Sequence, residues 1–138
     1  MPPSYANCTL AHRVSYGETD AMGVVYYAEY IHYFERARGE LCRSRGYPYS
    51  RMEEAGYMLP VREAQCRYYS PARYDDLIKI HVQIDEIRKA SIVFSYKIYD
   101  EADEKLLCTG MTHHAFVNKS GRPVAVPENI REIFSQAE

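Results

Sequence analysis

Residues 16–45 read YGETDAMGVVYYAEYIHYFERARGELCRSR. The segment opens on a polar loop, Gly17-Glu18-Thr19-Asp20-Ala21-Met22-Gly23, and passes into a helical pattern. Tyr27, Tyr30, Phe34, Ala37 and Leu41 recur at alternating steps of three and four, one face of a helix, and Ile31 widens that stripe. Glu29, Glu35, Arg36, Glu40 and Arg43 fall on the opposite face. Nothing breaks the run before Gly46 and Pro48, which end it. About five turns of helix in so short a chain predict the element around which the remainder is wrapped. Asp20 sits just ahead of that helix, beside its unpaired N–H groups.

The flanking segments alternate with the period of strands. Residues 1–7 form a loose start with Pro2 and Pro3, and Cys8 to Ser15 then places Cys8, Leu10, His12 and Val14 on one side. After the helix come a turn at 46–50 and a short helical piece at 51–56. A long strand is expected at 57–69, with Pro60 marking an edge or a bulge. A turn-rich connection at 70–76 leads to Ile78, Ile80, Val82 and Ile84, which alternate with Lys79, His81 and Gln83. Arg88-Lys89-Ala90 reads as a hairpin turn before Ile92, Phe94, Tyr96 and Ile98. A charged hairpin turn at 100–105 precedes a last strand at 106–117 and the turn Lys119-Ser120-Gly121-Arg122-Pro123. Pro127 opens a short C-terminal helix with Ile130, Ile133 and Phe134 as its stripe. Strand, long helix, then four hairpin-linked strands is an α+β pattern, one domain over 1–138 in which an antiparallel sheet covers a single helix. Leu107, Met111 and Val93, placed on the other face of the sheet, suggest a partner subunit.

Composition narrows the function classes. A net charge of −2 gives no basic field for nucleic acid or an anionic membrane. No apolar run approaches the ~20 residues of a membrane span, and without a signal pattern the cytoplasm is the default compartment. Fourteen tyrosines and no tryptophan fit half-buried strand positions or subunit contacts equally well. Cys8, Cys42, Cys66 and Cys108 form no C-x-x-C pair and read as small buried side chains rather than a disulfide or zinc set. His113 and His114 are adjacent in a strand and point to opposite faces, so no metal site is expected from them. His12, His32 and His81 read as surface or half-buried structural residues. G-x-S-x-G, P-loop and dinucleotide fingerprints are missing.

The run from Tyr16 to Tyr30, followed by Phe34-Glu35-Arg36-Ala37-Arg38, resembles the signature of hotdog-fold acyl-CoA thioesterases, in the group of 4-hydroxybenzoyl-CoA thioesterase and the Tol–Pal-associated YbgC-type enzymes. The similarity continues through Pro60-Val61-Arg62 and Ser70-Pro71-Ala72-Arg73-Tyr74-Asp75-Asp76 to the Gly-Arg-Pro turn, roughly residues 8–127. It implies a five-stranded antiparallel sheet curled around the long helix, with subunits paired edge to edge into dimers and commonly into homotetramers. The family's catalytic carboxylate maps onto Asp20. The backbone N–H that polarises the thioester carbonyl maps onto Tyr27. Many YbgC-type enzymes carry His at that place; Tyr27 matches the 4-hydroxybenzoyl-CoA pattern, which uses a backbone donor.

These residue types suit thioester hydrolysis. A helix N-terminus stabilises a developing oxyanion, and Gly23 lets the loop backbone approach a substrate closely. Asp20 is placed to attack the carbonyl or to activate water. A thiolate leaves readily near neutral pH, so no strong general acid is needed. The alternative reading of Asp20 or Thr19 is a helix cap, but the helical pattern starts several residues too late for one. Glu18 is expected to be solvated and Glu35 to be an ion-pair partner on the helix. Coenzyme A, part of the substrate rather than a cofactor, carries phosphates that call for Arg and Lys at strand ends. By resemblance the turns with Arg88, Lys89, Lys119 and Arg122, and Ser91 nearby, lie along the nucleotide path; ordinary solvated turn charges are the alternative. Arg62 and Arg73 are further candidates. A non-catalytic acyl-CoA binding or sensing module is the competing function, against which the carboxylate of Asp20 speaks. A hotdog hydratase would call for an Asp/His pair in a different loop.

Overall fold

The computed structural model describes residues 5–102 and 104–135. Pro2 and Pro3, expected to form a loose start, and Asp103 of the charged turn lie outside them. β1 (Asn7–Arg13) leads through a 3-10 turn at Tyr16–Glu18 to α1 (Glu29–Ser44) and α2 (Tyr49–Glu54). Then follow β2 (Tyr57–Met58), β3 (Val61–Tyr68), β4 (Leu77–Ile87), β5 (Ser91–Asp100), β6 (Leu106–Ala115), β7 (Val117–Asn118) and α3 (Glu128–Phe134). Five strands form one sheet in the order β1-β4-β5-β6-β3, each neighbouring pair antiparallel. This is the α+β hotdog arrangement of five strands around one long helix.

The sheet face toward α1 follows from alternation. Ile78, Ile80, Val82 and Ile84 of β4 and Ile92, Phe94, Tyr96 and Ile98 of β5 are all buried. Opposite them α1 buries Tyr30, Tyr33, Phe34, Ala37, Leu41 and Cys42. The Phe34 ring stacks on Tyr96 at 4.2 Å. A Cβ at Gly110 on β6 would stand only 2.3 Å from that Phe34 ring, so glycine is what lets the helix settle on β6.

Four details depart from the pattern. The helix begins at Glu29, so Tyr27 precedes it and is 63% exposed rather than part of the buried stripe. Ile31 is at the surface and Tyr33 takes its place inside. The strand expected at 57–69 breaks at Leu59-Pro60, where proline has no N–H to donate; β2 instead pairs with β7 in a separate two-stranded sheet. Leu107 is in the core rather than on the outer face. In β5, Ile98 pairs with Cys108 and Tyr99 with Leu106, which makes Leu107 the extra residue of a bulge and turns it inward.

A directional chain of hydrogen bonds runs through this core. Arg38 Nη1 donates to the Tyr96 hydroxyl (3.1 Å), which lies 2.5 Å from Thr112 Oγ1. Thr112 in turn is 2.9 Å from His114 Nε2, and His114 Nδ1 is 2.9 Å from the Leu59 carbonyl. A carbonyl only accepts, so Nδ1 carries the hydrogen, Nε2 accepts from Thr112, and Tyr96 donates to Thr112. The chain requires neutral His114, and burial pushes its pKa down to about 4. A folded state that refuses a proton the unfolded chain takes near its ordinary value loses stability as pH falls between the two values. Unfolding free energy is therefore expected to drop by roughly 2–3 kcal/mol from His114 alone between about pH 7.5 and pH 4.5. Urea melts of the wild type and His114→Gln at both pH values check this, the variant showing the smaller drop.

Candidate active site

The loop from Ser15 to Ala28 is built around a buried carboxylate. Glu18 is 8% exposed, contrary to the solvated role its loop position suggested. Its Oε1 accepts from the Ser15 N–H (2.9 Å) and the Tyr33 hydroxyl of α1 (3.0 Å). His12 Nε2 of β1 donates to the same carboxylate at 2.9 Å, and Arg36 Nη2 of α1 lies 3.5 Å away. Burial alone would raise the Glu18 pKa, but the hydrogen bonds from His12, Ser15 and Tyr33 outweigh it and hold it below the usual value. The Glu18 carbonyl also accepts the Tyr26 N–H at 2.9 Å. One residue thus ties the loop to the sheet, to the helix and to the segment entering the helix.

Asp20 follows two residues on. Its N–H donates to Val24 O and its carbonyl accepts from Gly23, both at 2.9 Å, closing a tight turn with Gly23 at φ +78°. Asp20 Oδ1 accepts the Met22 N–H at 2.9 Å, which fixes the carboxylate orientation. Among the described residues no cation pairs with Asp20. The half-buried carboxylate borders an apolar cavity of about 300 Å³ whose walls include Val25, Tyr27, Tyr30, Tyr68 and Pro71. The N–H groups of Val25 and Tyr26 are taken by Ala72 O and Glu18 O, whereas that of Tyr27 meets no acceptor among the described residues. The Tyr27 carbonyl is held by the Tyr68 hydroxyl at 2.8 Å. Asp20, with no cation partner, and Tyr27, whose N–H has no acceptor, both among the described residues, thus line one apolar cavity; a carboxylate and a free N–H are the parts needed to add an oxygen nucleophile to a carbonyl and hold the resulting oxyanion.

The expected nucleotide-side residues divide. Arg88 and Ser91 line a second cavity of about 440 Å³ together with Arg62, Glu63, His113 and Pro123. Arg88 also pairs with Glu86. Lys89, Lys119 and Arg122 are exposed and outside that lining, the last two on the turn closed by Gly121 N–H to Asn118 O. Arg62 and Tyr68 lie near opposite ends of β3, so within one chain the two cavities are about 20 Å apart. Glu35 is exposed and has no ion pair among the described residues. The Glu18–His12–Tyr33 cluster and the Tyr68–Tyr27 bond were not foreseen. The alternation of β1 did place His12 inward, the one sequence signal pointing to the cluster.

Residues 14–134 match the model of the thioesterase-like superfamily. The chain belongs to that superfamily. Among its relatives is the acyl-CoA thioester hydrolase YbgC of Escherichia coli O6:H1, 35% identical over 125 residues, covering 90% of this chain and 92% of the relative. Among solved structures, a hypothetical protein from Aquifex aeolicus superposes with a TM-score of 0.86 at 36% identity, over 91% of this chain and 98% of the other. The DHNA-CoA thioesterase of Staphylococcus aureus also gives 0.86, at 26% identity, over 93% and 88%.

The buried carboxylate yields a test independent of catalysis. Glu18→Ala leaves the Tyr33 hydroxyl, His12 and the Ser15 N–H without their acceptor and is expected to cost about 2–4 kcal/mol of unfolding free energy at neutral pH. A depressed carboxylate contributes stability above its unfolded pKa, near about 4.3, and loses it as pH falls through the lower folded value. The gap between wild type and variant in urea melts should accordingly close at acid pH.

Proposed function

We propose that this thioesterase hydrolyses acyl-CoA thioesters with Asp20 as nucleophile or general base and the Tyr27 N–H as oxyanion donor. The observation that carries the reading is that Asp20, with no cation partner among the described residues, lines one apolar cavity with Tyr27, whose N–H meets no acceptor among them. The acyl group fills the tyrosine-lined cavity, with its carbonyl oxygen on Tyr27 N–H. Asp20 then either attacks the carbonyl carbon, giving an acyl-enzyme that water opens, or takes a proton from an attacking water. In both routes the C–S bond breaks, coenzyme A leaves as thiolate, and the free acid is released. Donors of this kind supply roughly 3–4 kcal/mol when aimed at the developing charge. A binding or sensing module would gain nothing from an uncompensated carboxylate beside a thioester, which favours the enzyme.

The functional unit is proposed to be a homodimer, with tetramers as a further step. β3 pairs with β6 on one side and is an open edge on the other. Antiparallel addition of a second β3, centred near Gln65, brings the Arg62, Arg88 and Ser91 cavity of one copy beside the Asp20 cavity of the other. The phosphates of coenzyme A then meet guanidinium groups there, with Lys89, Lys119 and Arg122 at the rim and Gly23 admitting the pantetheine arm close to the loop.

Asp20→Asn keeps the Met22 hydrogen bond and removes the charge. Its kcat for thiol release from short aliphatic and aromatic acyl-CoAs is expected to fall at least about 100-fold, with KM changed only a few-fold. An unchanged kcat in a folded Asp20→Asn variant contradicts the assignment.

A further inference from the structure

Tyr68 is the last residue of β3 and reaches from the sheet to the corner where α1 begins. Its hydroxyl donates to the Tyr27 carbonyl at 2.8 Å, across 41 positions of sequence. Its ring stands edge-on to Tyr30 at 5.2 Å, and both rings wall the Asp20 cavity. The strand end is firmly held: Tyr68 pairs with Cys108 of β6, and the next N–H, that of Tyr69, donates to Leu107 O at 2.9 Å. Beside it the Cys66 and Cys108 sulfurs, both free thiols, lie 3.3 Å apart. Burial and the Cys66 thiol push the Tyr68 pKa up, so the hydroxyl keeps its proton and remains a donor. In the dimer proposed above, β3 is bonded on both edges, which stiffens this support.

The corner that Tyr68 touches has little else to fix it. Ala28, at the N-cap of α1, makes no side-chain capping bond. The carbonyl of the Tyr26–Tyr27 peptide accepts the Glu29 N–H at 2.8 Å, and the trans peptide sets its N–H, that of Tyr27, in the opposite direction. The following peptide is held through the Tyr27 carbonyl by Tyr68. Two bonds, one to each peptide flanking the Tyr27 Cα, therefore set the backbone of this residue. In a continuous α-helix the Tyr27 carbonyl would accept the Ile31 N–H, but that N–H goes to Ala28 O at 3.3 Å. The Tyr68 hydroxyl occupies the carbonyl that would otherwise wind the helix one residue further back.

We propose that Tyr68 is a positioning residue for the reaction: its hydroxyl, by holding the Tyr27 carbonyl, keeps Tyr27 out of α1 and sets the direction of the Tyr27 N–H. The proposal rests on the reading of that N–H as the oxyanion donor. Losing the hydroxyl leaves the carbonyl free to take the Ile31 N–H, which draws Tyr27 into the helix and turns its N–H. A donor must already point at the place where charge develops, so a turned N–H costs rate rather than binding.

Tyr68→Phe keeps the ring in the cavity wall and removes the hydroxyl alone. Its kcat for acyl-CoA hydrolysis is expected to fall about tenfold, with KM within about twofold of wild type. A second readout uses acyl-CoA isotope-labelled at the thioester carbonyl and bound to Asp20→Asn. The carbonyl stretching frequency should drop on binding, and most of that drop should disappear when Tyr68→Phe is added. A third follows the backbone carbon shifts by NMR: those of Tyr27 should move to helical values in Tyr68→Phe, while those of Phe34 and Leu41 stay put. An unchanged kcat in folded Tyr68→Phe, a rise in KM alone, or a carbonyl frequency indifferent to the hydroxyl overturns the proposal. If the wild type turns over no acyl-CoA at all, the thioesterase reading fails and takes the catalytic role of Tyr68 with it; the Tyr27 shifts then decide separately whether the hydroxyl holds that corner.

Discussion

The active-site loop depends on one buried anion. Glu18 collects hydrogen bonds from β1, from α1 and from its own turn, and its carbonyl fixes Tyr26. Without it the fifteen-residue connection between β1 and α1 (14–28) would keep only isolated bridges such as Val24 with Arg73 to order it. With it, Asp20 and Tyr27 are positioned from the same point, Asp20 two residues along the chain and Tyr27 next to the residue whose N–H Glu18 accepts. A carboxylate buried with several donors stabilises the folded state only while all of them stay in place, which makes the anchor stiff as well as strong. A loop held this way can carry an uncompensated second carboxylate, Asp20, at its tip.

The same division of labour runs through the core. Polar groups inside the molecule, Arg38, Tyr96, Thr112 and His114, are joined in one directional chain that ends on the Leu59 carbonyl, where the long β3 region breaks. That chain links α1, β5 and β6 to the start of the edge strand. The Cys66–Cys108 contact and the Tyr68–Tyr27 bond lie toward the other end of that strand. The edge strand that carries the cavity wall is held on one side by β6 and open on the other, where a second copy can add.

Much of this was legible in the residues. Period-two alternation placed Ile78, Ile80, Val82, Ile84 and Ile92, Phe94, Tyr96, Ile98 correctly, because both strands are central and one face is covered, but missed Ile87, which is buried beyond the irregularity between Ile84 and Glu86. The α1 stripe was right at Tyr30, Phe34, Ala37 and Leu41 and wrong at its start: Val24 and Val25 hold the chain in bridges to Arg73 and Thr19, which delays the helix to Glu29. Leu107 was misplaced because a bulge reverses the alternation, and nothing local in Leu106-Leu107-Cys108 announces one. Glu18 was misread because its partners, His12 and Tyr33, come from different elements, and burial created by tertiary packing leaves no mark in a loop sequence. Arg88 and Ser91 line one cavity, while Lys89, Lys119 and Arg122 are exposed outside its lining, and the sequence has no signal that separates the two groups. The meeting of Cys66 with Cys108 depends on the β3–β6 register, which spacing alone does not reveal.

The central claim is that a thioester binds between the Asp20 carboxylate and the Tyr27 N–H. It is tested most directly by a crystal structure of the Asp20→Asn variant with an intact acyl-CoA. The account predicts the thioester oxygen within about 3 Å of the Tyr27 nitrogen and the substituted carboxamide against the carbonyl carbon, with the acyl group among Tyr27, Tyr30 and Tyr68. A thioester bound elsewhere, with the Tyr27 N–H turned away from it, would contradict it.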